Sequence, residues 1–173
     1  MNSVRAEEYP DIDIAMDGAM VEMSYAKFKE LVDQTAFAAS TKDQRPILTA
    51  LNIEAIDGEL TATATDSARL AKKTVRLNEK ISFAANIPAT VMVEVAHLVD
   101  EEANLTMAIS EKKVVFKLGG TLITTRLVNG EYPNTRHIIP HGFSYFLEAN
   151  SQELIAAMER VSLLSVDLSL IHI

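Results

Sequence analysis

From Ser24 onward, apolar residues recur at helical spacing. Phe28, Leu31, Val32, Thr35, Ala36 and Ala39 fall on one stripe, with Lys27, Glu30, Asp33 and Gln34 on the other side. The i, i+3, i+4, i+7 rule reads this as an amphipathic helix over 24–39, and Ser24 is placed to cap it. The period then changes. Residues 40–46 are a polar loop, and the runs 47–56 and 59–65 flank Asp57-Gly58, a dipeptide that favours a two-residue hairpin. In the second run Leu60, Ala62 and Ala64 alternate with Thr61, Thr63 and Thr65, as a half-exposed strand requires. Further strands are predicted over 70–77 and 81–87. Pro88 suits the first turn of a helix reaching Val99, with Val91, Val95, Leu98 and Val99 on its apolar stripe and Thr90, Glu94 and His97 off it. Residues 105–109, 114–118 and 121–128 are short β-branched runs separated by Ser-Glu-Lys-Lys and Gly-Gly turns, the pattern of an antiparallel meander. Beyond an irregular stretch over 129–141, a strand is predicted over 143–148. A third helix is predicted over 150–164, with Leu154, Ala157, Met158 and Val161 facing inward.

The order strand, helix, then several strands occurs twice within 19–128, which predicts an α+β fold with internal pseudo-symmetry. A longer repeat overlies it. Glu8-Tyr9-Pro10-Asp11 returns as Glu131-Tyr132-Pro133-Asn134, and each copy precedes a short strand and a helix: Phe28, Val32, Phe37 and Ser40 in one, Leu154, Met158, Leu163 and Ser165 in the other. Tandem domains of about 125 residues account for both matches. The chain is then expected to hold one whole unit at 19–142, the end of a preceding one at 1–18 and the start of a following one at 143–165.

At 173 residues and 48% hydrophobic content the chain can bury one substantial core, so disorder is excluded as a reading. The absence of cysteine removes disulfides, thiolate metal sites and cysteine nucleophiles. No apolar run approaches the roughly 18–20 residues that cross a bilayer, and the polar, acidic N-terminus is unlike a signal peptide. A cytoplasmic chain without a membrane partner is the expectation. The net charge of −8, from 16 Lys+Arg against 24 Asp+Glu, opposes any strong general attraction to nucleic acid.

Candidate chemistry is sparse. His137 and His141 are separated by Pro140 and cannot form a helical metal pair, while His97 and His172 stand apart, so neither a metal nor a cofactor is expected. No serine lies in a Gly-x-Ser-x-Gly turn, and Gly119-Gly120 lacks the Lys-Ser/Thr of a phosphate loop. Asp100-Glu101-Glu102 reads as a solvated acidic run, and Asn104-Leu105-Thr106 carries no meaning as a glycosylation acceptor without a secretory signal. Two stretches stand out. In 63–71, Asp66-Ser67 interrupts two strand-like runs and leaves Arg69 and Leu70 beside the break; in 130–140, aromatic, basic and apolar residues occur together with two prolines. By residue type alone these support a docking surface, a small enzyme using carboxylates such as Asp66 or Glu131, or a scaffold with no role on DNA.

Together the two stretches carry a resemblance. Ala-Thr-Asp-Ser-Ala-Arg-Leu-Ala (64–71), then Arg-Leu-Val-Asn-Gly-Glu-Tyr-Pro-Asn-Thr (126–135), with Arg45-Pro46-Ile47-Leu48 upstream, resembles the middle domain of the bacterial DNA polymerase III beta subunit, the sliding clamp. Ala6 to Pro10 resembles the end of that family's first domain, and Phe143 to Ser165 the opening of its third; residues 166–173 do not continue the pattern and are read as a truncated or non-native end. The resemblance implies a clamp fold with two helices packed on antiparallel sheets. It also implies a non-catalytic subunit of a DNA-directed DNA polymerase, a nucleotidyltransferase complex. This subunit forms a homodimeric ring around double-stranded DNA and gives the polymerase its processivity in replication. A chain of this extent is not expected to close that ring. Helices 24–39 and 89–99 would face the pore, with Lys27, Lys29, Lys42 and Arg45 as the implied phosphate contacts. Ala89 and Thr90 stand where some members carry basic residues. A hydrophobic cleft that takes linear peptides from the polymerase catalytic subunit, the clamp loader and repair proteins would be lined by Leu48, Thr65, Ser67, Leu70, Pro133 and Ile138. Arg69 and His137 would lie at its rim, and Ala68 stands where relatives have a larger residue.

Overall fold

The computed structural model describes residues 13–42, 44–98, 104–135, 137–140 and 142–165. They fall into two compact units that divide after Pro133. The first copy of the Glu-Tyr-Pro repeat, the acidic run at 100–102, Val99 and His141 lie outside the described residues.

In the first unit the chain runs β1 (Ala19–Ser24), α1 (Tyr25–Asp33), β2 (Ala50–Ile56), β3 (Glu59–Thr65), β4 (Leu70–Arg76), β5 (Phe83–Pro88), α2 (Ala89–Ala96), β6 (Asn104–Ile109), β7 (Lys113–Leu118) and β8 (Thr121–Arg126). This is the strand, helix, three-strand order twice over. The strands form two four-stranded antiparallel sheets, β1-β6-β7-β8 (sheet A) and β4-β3-β2-β5 (sheet B). Each half therefore lends its first strand to the other half's sheet: β1 pairs with β6, and β5 with β2.

Local chemistry explains the boundaries. Ser24 Oγ accepts from Lys27 N at 3.4 Å and caps α1, as its sequence position indicates. The expected helix to Ala39 stops early, at Asp33. Buried Thr35 turns back on the chain: its hydroxyl donates to Leu31 O at 2.7 Å while its amide bonds Val32 O, and a short 3-10 turn over Ala36–Ala38 follows. A second 3-10 turn, Pro46–Thr49, begins with proline and delays β2 to Ala50. The β2–β3 turn has Asp57 at φ 51 and Gly58 at φ 84, the left-handed pair that a two-residue hairpin demands.

One core joins both sheets and both helices. Phe28, Leu31 and Val32 of α1 and Met92 and Val95 of α2 are buried with Leu51, Ile53 and Leu60 of sheet B and Leu105, Met107 and Phe116 of sheet A. Phe28 and Phe116 meet with ring centroids 6.0 Å apart, tilted at 60°. Tyr25 Oη donates to Ala96 O at 2.8 Å, fastening the start of α1 to the end of α2. The buried stripe of α2 differs from the expected one. Ala89, Met92, Val95 and Ala96 are buried while Val91 and Leu98 are half-buried, because the helix starts directly after Pro88 and presents that register to the core.

The second unit holds α3 (Ser151–Ser165), whose first amides are capped by Asn150 Oδ1 accepting from Gln152 N at 2.9 Å and Glu153 N at 3.3 Å. Residues 143–148 do not form the expected strand. They have no ladder partner among the described residues, and Tyr145, Phe146 and Leu147 are more than four-fifths exposed. The face of α3 expected to point inward is likewise open: Leu154, Met158 and Val161 are exposed. No helix among the described residues is long and apolar enough to cross a membrane.

Candidate docking and DNA-facing surfaces

The turn between β3 and β4 is a built object. Asp66 Oδ1 accepts from Ala68 N at 2.9 Å and Arg69 N at 3.0 Å, and Oδ2 takes Arg69 Nε at 3.0 Å. The backbone amide of Arg69, then that of Ala68, and then the Arg69 charge hold the Asp66 carboxyl below the usual carboxylate range. That carboxylate is fully engaged in shaping the turn and is a poor candidate for acid–base chemistry. Ser67, between these donors, sits at φ 80. Leu70 opens β4 half-buried, and the Arg69 guanidinium lies 6.0 Å above the centroid of the exposed Phe37 ring.

A second brace holds the segment that ends in Pro133. Asn52 and Asn86 face each other across β2 and β5, with Asn52 Nδ2 donating to Asn86 Oδ1 at 2.9 Å. Asn86 Nδ2 then donates to Gly130 O at 3.0 Å, and Val128 N bonds Asn86 O at 2.8 Å. Three residues past Val128, and one before Tyr132, the exposed Glu131 enters no ion pair among the described residues. Tyr132 itself reaches Thr65, whose amide donates to the phenolic oxygen at 3.0 Å.

The first unit thus brings Thr65, Ser67, Arg69 and Leu70 together in one turn and ties them to Tyr132, the neighbour of Pro133. Leu48 stands in the second 3-10 turn and is only 4% exposed, so its side chain is already covered. His137 and Ile138 fall in the second unit, where Ile138 N bonds Thr135 O at 3.1 Å and both side chains are exposed. Tyr132, Asn86 and Phe37 are absent from the lining expected of the sequence. Each acts through a partner far along the chain, and only Tyr132 belonged to a segment that stood out.

The four cations expected to meet phosphate are not equivalent. Lys29 Nζ is 2.7 Å from Asp33 Oδ2, and on the same helix Glu30 binds Lys73 Nζ of β4 at 2.7 Å. Lys27, Lys42 and Arg45 are exposed and enter no ion pair among the described residues. The exposed surface of α2 offers Thr90, Glu94 and His97. A separate open groove of about 990 Å³ is lined by the β6–β7 turn, the end of β8 and Asp13 and Asp17, with Lys113 bridging those two acids at 2.7 and 3.5 Å. None of the expected site residues lines it.

Two sheets with exchanged lead strands and a helix pair define the sliding-clamp fold. The chain is similar to the crystal structure of the DNA polymerase sliding clamp from Bacillus subtilis, with a TM-score of 0.86 at 32% identity, covering 95% of this chain and 44% of that one. The profile of the DNA polymerase III beta subunit, central domain, matches residues 22–134, and the chain belongs to that family. The beta sliding clamp of Bacillus subtilis is 34% identical over 168 residues, and that of Halalkalibacterium halodurans 33% over 170 residues. The chain spans 44% and 45% of their lengths, respectively.

Proposed function

We propose that the chain acts as the central part of a ring that encircles duplex DNA and keeps a replicative polymerase on its template. The match of the central-domain profile over residues 22–134, on a fold with the clamp's exchanged sheets, carries this reading. On this reading residues 19–142 form the middle domain, with 1–18 and 143–165 belonging to its neighbours. The charge pattern agrees with sliding. A net charge of −8 and the neutralised Lys29 leave Lys27, Lys42 and Arg45 as scattered, weak phosphate contacts, which suits a protein held on DNA by topology rather than by counterion release. The enzyme reading loses its best residue, since Asp66 is committed to its turn.

The docking half of the proposal places a linear peptide from a polymerase, clamp loader or repair protein against Leu70, with Thr65, Ser67 and Pro133 of the same unit as its lining and Arg69 at the rim. Burial of apolar peptide side chains supplies the affinity. Leu70→Ala tests it. A fluorescent peptide with two adjacent leucines between polar residues should bind the wild-type chain and lose affinity on this substitution; equal binding by both proteins refutes docking at Leu70. For the DNA half, photo-cross-linking from position 42 or 45 within an assembled ring should label duplex DNA, and its absence at both positions argues against a DNA-facing role.

A further inference from the structure

Thr65 lies where sheet B runs out of partners. The ladder between β2 and β3 ends at the Asn52–Thr63 pair, whereas the ladder between β3 and β4 continues to Thr65–Leu70. The amide that β2 leaves unpaired belongs to a residue only 6% exposed, where an unsatisfied donor is costly. Tyr132 Oη fills that place at 3.0 Å. Thr65 carries the connection further: its hydroxyl donates to Arg69 O at 2.7 Å and accepts from Ser67 N at 3.1 Å. One phenolic oxygen is thereby linked to both ends of a turn whose Ser67 occupies a left-handed conformation, which a non-glycine residue holds only when its surroundings fix it. Burial raises the phenol's pKa, so the acceptor stays an uncharged hydroxyl at neutral pH.

We propose that Tyr132 is the positioning residue of the docking surface, its hydroxyl fixing the Thr65–Leu70 turn in the shape that receives a partner peptide. The inference rests on the docking reading above and deepens it. Tyr132 need not touch the peptide. It acts by pre-organisation: a turn already held in its bound shape spares the complex the cost of ordering Ser67, Arg69 and Leu70 on contact.

Tyr132→Phe removes the hydroxyl and keeps the ring, so any role of the ring in packing survives it. The wild-type chain and Tyr132→Phe are compared in two measurements. One is binding of the fluorescent di-leucine peptide; the other is amide hydrogen exchange at Thr65, Ser67 and Arg69. The expected result is faster exchange at Thr65 and an about three- to tenfold rise in Kd for Tyr132→Phe, the loss expected for one hydrogen bond. Unchanged exchange at Thr65 overturns the proposal. Faster exchange with unchanged Kd also overturns it and leaves docking at Leu70 standing. Failure of the wild-type chain to bind the peptide removes the docking reading itself and the proposal with it, an outcome distinct from both.

Discussion

Asn86→Ala is the most direct test of how the Gly130–Pro133 segment is held. The substitution removes two side-chain hydrogen bonds, one from Asn52 at 2.9 Å and one to Gly130 O at 3.0 Å, while the backbone bond from Val128 to Asn86 O remains. Two such bonds contribute about 1–3 kcal/mol. Asn52 is half-exposed and Gly130 exposed, so the groups left behind can rehydrate, which places the loss in the lower part of that range, about 1–2 kcal/mol. For a chain of this length that corresponds to about 2–8 °C in Tm. Thermal and urea denaturation measure it, and a cycle with Asn52→Ala isolates the Asn52–Asn86 pair: the double mutant should lose less than the sum of the singles. Asn86→Asp adds a discriminating arm, since a carboxylate keeps the acceptor for Asn52 but faces Gly130 O without a donor. It should destabilise more than alanine at neutral pH and recover on acidification. A Tm for Asn86→Ala within about a degree of wild type would refute the idea that this brace carries energy, and strict additivity with Asn52→Ala would refute the share assigned to the Asn52–Asn86 pair.

Three further outcomes are expected. Phe28→Ala empties the junction between α1 and Phe116 and should cost about 3–5 kcal/mol, read as a fall in urea midpoint, with Phe28→Leu losing clearly less. Gly18→Ala drives a Cβ into the backbone oxygen of Ile109 at φ +93. The left-handed strain of about 1–2 kcal/mol is then a lower bound, and amide exchange in β1 should accelerate beyond that in β7. Asp66 has a folded-state pKa below its unfolded value, so its contribution to the turn is present above roughly pH 4 and is lost as pH falls through the folded value. A titration of the Ala68 and Arg69 amide shifts should show a step below roughly pH 4 that Asp66→Asn abolishes.

What could be read in the chain followed the range of the forces involved. The helix start at Ser24, the Asp57-Gly58 hairpin and the doubled order of elements are local signals, and the structure contains all three. Thr35 defeats a periodicity argument because it fits the apolar stripe while its hydroxyl takes a backbone carbonyl out of the helix. Residues 143–148 have strand chemistry, but a strand exists only with a partner, and none of the described residues supplies one. The site divides the same way. Asp66 to Leu70 is legible as an interruption between strands, whereas the bond from Thr65 to Tyr132 spans 67 positions and leaves no mark on local composition. By residue type Lys29 is as available as Lys27, but Asp33 pairs with it in the structure.

The exchange of β1 and β5 between the two sheets makes each half of the first unit an obligate template for the other. Cut in the exposed Asn78–Lys80 connection, the chain would yield two fragments, each with a three-stranded sheet lacking the strand that completes it and a lead strand with nothing of its own to pair with. Neither piece is expected to close alone, and mixing them should restore both ladders at once. The unit should therefore behave as a self-complementing pair, assembling from separated halves with second-order kinetics and losing both sheets together whenever either lead strand is withheld.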